Sequence, residues 1–313
     1  MARFLKHIGL FLVYALPLYL GFLFLFGSLL PNRYLGNFFP RPDSRSFLRE
    51  RIQEIPQHGG ADLLVVGSSV GQRSIDPRVF SRSRFSVLIL ASGGQNPMQT
   101  EVLLKRYVHA LRPKCVAIAI NPDLYTTDRA EPSIDLILSD RIDGDNWRDA
   151  WRRPDLRLVN TLLFWWMRQE LGVRPPALRT SNELDVYVPG GYLERRPPVR
   201  NTDLAAACIP GPSVPLNPIH LAALDNCIAF LKQRGIPFVL LQPPLSAARY
   251  RCRRFPAQID STFSARGRYY NYNLQLPLSD TFDFIDNAHL APSGAIKFSE
   301  AFLRQMQMDG YLK

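Results

Sequence analysis

Asp286-Asn287-Ala288-His289 puts a carboxylate three residues before an imidazole, a spacing that a short loop or a first helical turn can fold into contact. The carboxylate can then accept from one ring nitrogen and leave the other free to face a serine, which is the base-plus-orienter half of a nucleophilic triad. Far upstream, Ser69 follows Gly67-Ser68 and the apolar run Leu63-Leu64-Val65-Val66, so it would sit at the C-terminal end of a buried strand. Ligands of open α/β sheets bind outside that edge. Taken singly, Ser69 is an ordinary helix N-cap and Asp286 another. Of the five histidines, however, His289 is the one with a carboxylate three residues away at a strand end. His7 lies beside an apolar run, His109 and His220 fall in expected helices, and His58 precedes Gly59-Gly60 with no partner in the pattern.

The elements that must position these groups read as an α/β domain. Strands are expected at 62–66, 85–90, 115–120 and 237–241, with a short last one at 282–285 running directly into Asp286. Helices are expected at 44–55, 98–111, 156–171, 220–233, 256–266 and 292–308; Gly235 closes one and Pro292 opens another. Strand, helix and strand in this alternation imply a parallel sheet. The boundaries expected are an anchor at 1–30, a linker and lead-in helix at 31–60, and a catalytic domain at 61–313 with an insertion at about 126–215. A tyrosine-rich passage, 269–272, precedes the last strand. Trp147, Trp151, Trp165 and Trp166 all lie in the insertion, where they could form a lid or a carbohydrate platform. The base rate for large aromatics favours packing within the insertion or rest against a membrane interface.

The chain has 313 residues, 46% hydrophobic and 21% charged, enough to bury one good-sized core. Its 38 Lys+Arg against 27 Asp+Glu give +11, which suits anionic headgroups or an acidic polymer. The basic residues are scattered and no nucleic-acid motif is present, so nucleic acid is not the expected partner. No charged residue occurs from Ile8 to Leu30, Arg3 and Lys6 precede the run, and no small-x-small cleavage site follows it. An uncleaved signal anchor is the expectation, making a single-pass membrane protein. Arg33, Arg41, Arg45 and Arg49 blur the charge asymmetry, but long domains translocate regardless, so the bulk is expected outside the cytoplasm. Cys115, Cys208, Cys227 and Cys252 offer no C-x-x-C pair and no His at zinc spacing, so no metal or cofactor is expected. Cys115 reads as a buried thiol; one pair among the others could bridge in an oxidising compartment, or all could stay unpaired.

Gly67-Ser68-Ser69 after strand one, Gly93-Gly94 after strand two, Asn121 after strand three and Asp286-x-x-His289 before the last helix resemble the blocks of the SGNH/GDSL hydrolase superfamily, in order. The anchored N-terminus and the Gly-Ser-Ser turn are most similar to the DltD- and AlgJ/AlgX-type proteins of cell-envelope acylation. The resemblance implies a three-layer, flavodoxin-like sandwich and acyl-ester cleavage or transfer. It places the nucleophile at Ser69, with Ser68 where the family often has Asp, the general base at His289 and its orienter at Asp286. The implied oxyanion donors are the backbone N–H groups of Ser69 and Gly94 (or Gly93) and the side chain of Asn121, with Asn96 as an alternative. The third block usually reads Gly-x-Asn-Asp; here it is Ala119-Ile120-Asn121-Pro122-Asp123, and Pro122 changes the turn. Gly67-Ser68-Ser69-Val70-Gly71 also fits G-x-S-x-G, the elbow of α/β-hydrolases, again centred on Ser69. That fold places several strands before the elbow and its acid and base on separate loops.

The expected function is therefore a membrane-anchored esterase or O-acyltransferase working on envelope polysaccharide, with the bilayer, a glycan and a membrane-bound O-acyltransferase as partners. The alternative is a non-catalytic glycan-binding or scaffold protein of an export or acylation complex. A third reading is an α/β-hydrolase lipase acting on membrane lipids.

Overall fold

Apolar runs buried at every position build the sheet on which the rest is arranged. The computed structural model describes residues 1–31, 34–39, 46–126, 129–173, 181–202, 208, 211–212 and 214–313. Arg33, Arg41, Arg45, parts of the expected linker and parts of the Pro-rich passage before Leu216 lie outside the described residues. In chain order the elements begin with α1 (Ala2–Leu29), α2 (Leu48–His58), β1 (Leu63–Ser68), α3 (Ser69–Ser74), α4 (Pro77–Arg82), β2 (Val87–Ser92), α5 (Pro97–Leu111) and β3 (Cys115–Ala119). There follow α6 (Glu131–Ser139), α7 (Gly144–Arg152), α8 (Leu156–Glu170), β4 (Asp185–Val188) and β5 (Tyr192–Arg195). The chain ends with α9 (Pro218–Gln233), β6 (Phe238–Gln242), α10 (Ala247–Arg251), α11 (Pro256–Ser264), β7 (Tyr269–Asn271) and α12 (Pro292–Met308). These divide into two compact units, residues 1–44 with 133–177 and residues 45–132 with 178–313.

In the second unit five strands pair in the order β2-β1-β3-β6-β7, all parallel. Leaving out the hairpin strands, this is the 2-1-3-4-5 winding of flavodoxin-like sheets, whose switch point lies between the first and third strands. Side chains of a strand alternate between faces. Leu63, Val65, Ile89 and Ala117 accordingly join Phe80 of α4 and Phe298, Phe302 and Met306 of α12 in one core. Leu64, Val66, Leu90 and Ile118 join Leu104 and Val108 of α5, Leu224 and Leu231 of α9 and Phe263 of α11 in the other. Helix, sheet and helix make three layers, the architecture expected from the sequence.

The fifth strand is not the expected one. Tyr269–Asn271 pairs with β6, while 282–285 contributes only the isolated bridge between Phe284 and Leu290. The apolar run there is cut by Asp283, and Ile285 N–H closes back onto His289 O at 2.8 Å. Tyr269 and Tyr270 suit a pleated, half-buried edge.

The hairpin β4–β5 belongs to this unit and is tied to the helix after β1 by a buried ion pair. Arg73 of α3 grips Asp185 with two bonds of 3.0 and 2.9 Å, and both side chains are nearly inaccessible. The hairpin turn has positive φ at Gly190 and Gly191, and Gly190 O accepts from Ile89 N of β2 at 2.8 Å. A Cβ on Gly191 would lie 2.5 Å from Ile89 O, so only glycine fits that approach.

In the first unit, α1 is a single helix, and Arg3–Leu29 is long and apolar enough to cross a membrane. Phe164 of α8 stacks on Phe38 at 4.7 Å and lies over Gly27, where a Cβ would fall 2.4 Å from its ring. Trp165 is buried and its indole N–H donates to Phe38 O at 2.6 Å, so it packs the segment. Trp147 and Trp166 meet edge-on at 6.0 Å and stay partly exposed, and Trp151 is 88% exposed.

Candidate active site

Ser69 owes its position to the end of β1. Gly67 takes φ +126° where a Cβ would sit 2.4 Å from Ala119 O, so the strand passes β3 with no side chain between them. Ser68 is then the N-cap of α3 and Ser69 its first residue, at the C-terminal edge of the sheet beside the switch point. The sequence-level alternative for Ser69, an N-cap, thus falls one residue earlier.

The second half of the site is the loop from Ile285 to Ala291. Asp286 Oδ1 accepts from the backbone N–H groups of Ala288 at 2.8 Å and His289 at 3.0 Å, which folds the four residues into a tight turn. Its carboxylate faces His289 Nδ1 at 2.9 and 3.0 Å. On the other side of the ring, Nε2 lies 2.8 Å from Ser69 Oγ. A carboxylate can only accept, so the ring proton sits on Nδ1 and Nε2 is left to accept from the serine hydroxyl. Burial pushes the Asp286 carboxyl up, but the His289 hydrogen bond and charge, with the two backbone donors, outweigh it and hold it far below the usual carboxylate range. The arrangement can remove the proton from Ser69 as its oxygen attacks, and keep the resulting imidazolium paired.

The loop is itself held. Asn287 is buried, and its Oδ1 accepts from Ser246 Oγ at 3.1 Å and Asn201 Nδ2 at 3.0 Å, while Ser246 N–H donates to Asn287 O. Behind it, Asp283 accepts from Ser279 N–H and from Lys297 of α12, both on Oδ2, and Ala291 N–H donates to Asp283 O. Asn287 and Ser246 carried no signal in the sequence beyond their types. Asn287 stands inside the Asp-x-x-His motif, but nothing local shows that it turns inward.

The other residues singled out lie along the same edge. Asn96 caps α5, its Oδ1 accepting from Met98 N–H at 2.9 Å in a capping box with Gln99. Asn121 caps the 3-10 turn Pro122–Tyr125, its Oδ1 accepting from Asp123 N–H at 3.2 Å. Pro122 thus starts a tight turn, and Asp123 pairs with Arg249 at 2.8 Å and Arg253 at 3.3 Å. In both asparagines the oxygen is engaged, leaving the amide Nδ2 as the donor. Gly93 and Gly94 form the turn after β2, with Gly94 at φ +71°. A small pocket at the sheet edge is lined by Gly67, Ser68, Gln95, Asn96, Asn121 and Leu224, among others. Ser69 and His289 meet outside that lining.

No family model matches the chain, and no curated protein matches it. Among solved structures it is similar to a candidate acylhydrolase from Bacteroides fragilis, at 11% identity and a TM-score of 0.40, over 82% of this chain and 94% of that one. A likeness at that level does not bear on the activity of this chain.

Proposed function

We propose that the chain is a membrane-anchored serine acyl-ester enzyme of the SGNH type. The observation that carries it is the line from Ser69 Oγ through His289 to Asp286, with contacts of 2.8 and 2.9 Å. Ser69 Oγ attacks the acyl carbonyl and passes its proton to His289 Nε2. The tetrahedral intermediate collapses, the leaving alcohol takes that proton, and the acyl group remains as an ester on Ser69. A sugar hydroxyl or water then gives its proton to His289 and attacks the acyl-enzyme, and Ser69 Oγ leaves, taking that proton back from His289. Negative charge on the intermediate's oxygen falls to the N–H groups of Ser69 and Gly94 (or Gly93) and to the amide of Asn121 or Asn96. Such a donor lowers the barrier by about 3 kcal/mol.

The apolar α1 supports anchoring, and the Cys208–Cys252 disulfide supports an extracytoplasmic, oxidising compartment. Cys115 and Cys227 are buried free thiols. The net charge of +11 suits an anionic envelope polymer or lipid as neighbour. Transfer to a glycan hydroxyl beside a membrane-bound O-acyltransferase is our reading of the second half-reaction.

The test is labelling with a fluorophosphonate, read as intact mass, for the wild type, Ser69→Ala and His289→Ala. Labelling lost in Ser69→Ala supports the mechanism. With p-nitrophenyl acetate, a burst followed by slow turnover supports a transferase awaiting its acceptor, and fast turnover an esterase. No labelling of folded wild type would sink the mechanism and favour a glycan-binding scaffold.

A further inference from the structure

Helix α7 carries two indoles one turn apart, Trp147 and Trp151, while Asn146 and Ala150 face inward. Trp151 is 88% exposed, Leu156 just beyond it 78%, and Trp166 of α8, packed edge-on to Trp147 at 6.0 Å, is also exposed. Among the described residues of this unit none covers the stripe. Exposed cations flank it: Arg152 is adjacent to Trp151, and Arg148 and Arg157 are ion-paired with Asp145 and Asp155.

What covers it follows from where α8 attaches. Tyr19 OH donates to Asn160, Phe24 lies 6.2 Å from Phe164, and Gly27 lies under the same ring. All three contacts fall on the C-terminal half of α1, the helix able to cross a membrane. At 1.5 Å per residue, Tyr19 to Leu29 covers about 15 Å, near half of a hydrocarbon core of about 30 Å. A helix running beside that stretch cannot stand clear of the bilayer. Trp is the side chain that settles at headgroup level, and arginines reach from there to anionic phosphates.

We propose that α7 and α8 form a second membrane contact, seated in the leaflet on the C-terminal side of the span, with the exposed indoles of Trp147, Trp151 and Trp166 against lipid. The inference rests on anchoring by α1 and not on chemistry at Ser69.

All four tryptophans lie between residues 147 and 166, so indole emission reports on this segment alone. The full chain is reconstituted in phosphatidylcholine–phosphatidylglycerol vesicles, with and without brominated acyl chains. Emission of Trp151→Phe is subtracted from that of the wild type to isolate Trp151. The expected result is loss of most of the Trp151 emission to brominated lipid and little loss to aqueous iodide. Quenching by iodide but not by bromolipid overturns the proposal, since Trp151 would face water. Shielding from both also overturns it, since protein would then cover the indole. Carbonate extraction separates the two levels: a chain that washes off has lost the anchor and the seat together, whereas a retained chain with a water-facing Trp151 has lost only the seat.

Discussion

At the sheet edge, Ser69, His289 and Asp286 stand in one hydrogen-bonded line, and the loop carrying two of them is held by Asn287 within it and by Asp283 just before it. In α7 and α8, by contrast, three indoles are left in contact with solvent, and Arg148 and Arg157 are half-exposed or more. In the first region the three groups of the line are each bonded to the next inside the fold, which is what pre-organised chemistry requires. The second gains little internally from its largest side chains. Groups that are expensive to expose and are nonetheless exposed belong to a contact with something outside the chain. One region is complete as folded; the other is half of an interface.

The sharpest break of that contrast is at Ser69. Ser69→Ala should lower acyl-ester turnover by roughly 10⁶-fold if the three residues act as a unit, with the melting temperature unchanged; a fall of only a few-fold would show that the line is not catalytic. Asp286→Asn should cost about 10⁴-fold in kcat, because an amide no longer fixes the proton on Nδ1. An unchanged kcat in that variant would mean that the ring is oriented by other means.

Stability should respond most at the buried tie between α3 and the hairpin. Arg73→Met removes both bonds of that tie from the buried Asp185 carboxylate, which keeps Arg195 Nε 2.9 Å from its Oδ1, and should destabilise by about 3 kcal/mol. Denaturant unfolding reads it, and a change within error would mean that the hairpin docks independently of the pair.

Acid should act through Asp283. Burial pushes its carboxyl up, but Lys297, the Ser279 N–H and Ser293 outweigh this and leave it below its ordinary value. A carboxyl whose folded pKa is depressed contributes stability that is complete above the unfolded value of about 3.9 and is lost as pH falls through the folded one. Asp283→Asn should therefore be less stable at neutral pH and lose less on acidification below about pH 4. Parallel melting curves of the two proteins across that window would contradict the assignment. Smallest of all, Trp151→Phe should change the unfolding free energy by no more than about 0.5 kcal/mol, as for a surface side chain; a large loss would place the indole inside the fold.

Much of the architecture was readable from local pattern. The runs at 63–66, 87–90 and 115–119 are apolar enough to be strands buried on both faces, and the breaks between them leave helices as connections. Asp286 and His289 are close in sequence, so their contact needs only a turn. The last strand misled because Phe282 to Ile285 has strand-like composition around Asp283, a residue that the fold uses to bind Lys297. The tyrosines of β7 gave too little alternation to show that they close the sheet.

Composition and spacing were thus sufficient for the layer order, the apolar span and the residue types of the site, since these depend on periodicity and short-range turns. Only the folded chain brings Ser69 Oγ within 2.8 Å of His289 Nε2, selects Cys252 as the partner of Cys208, turns Asn287 inward onto Ser246 and buries Asp185 against Arg73. Each joins segments far apart in sequence. Such contacts are decided by strand order, register and side-chain direction together, and no local window of residues contains that information.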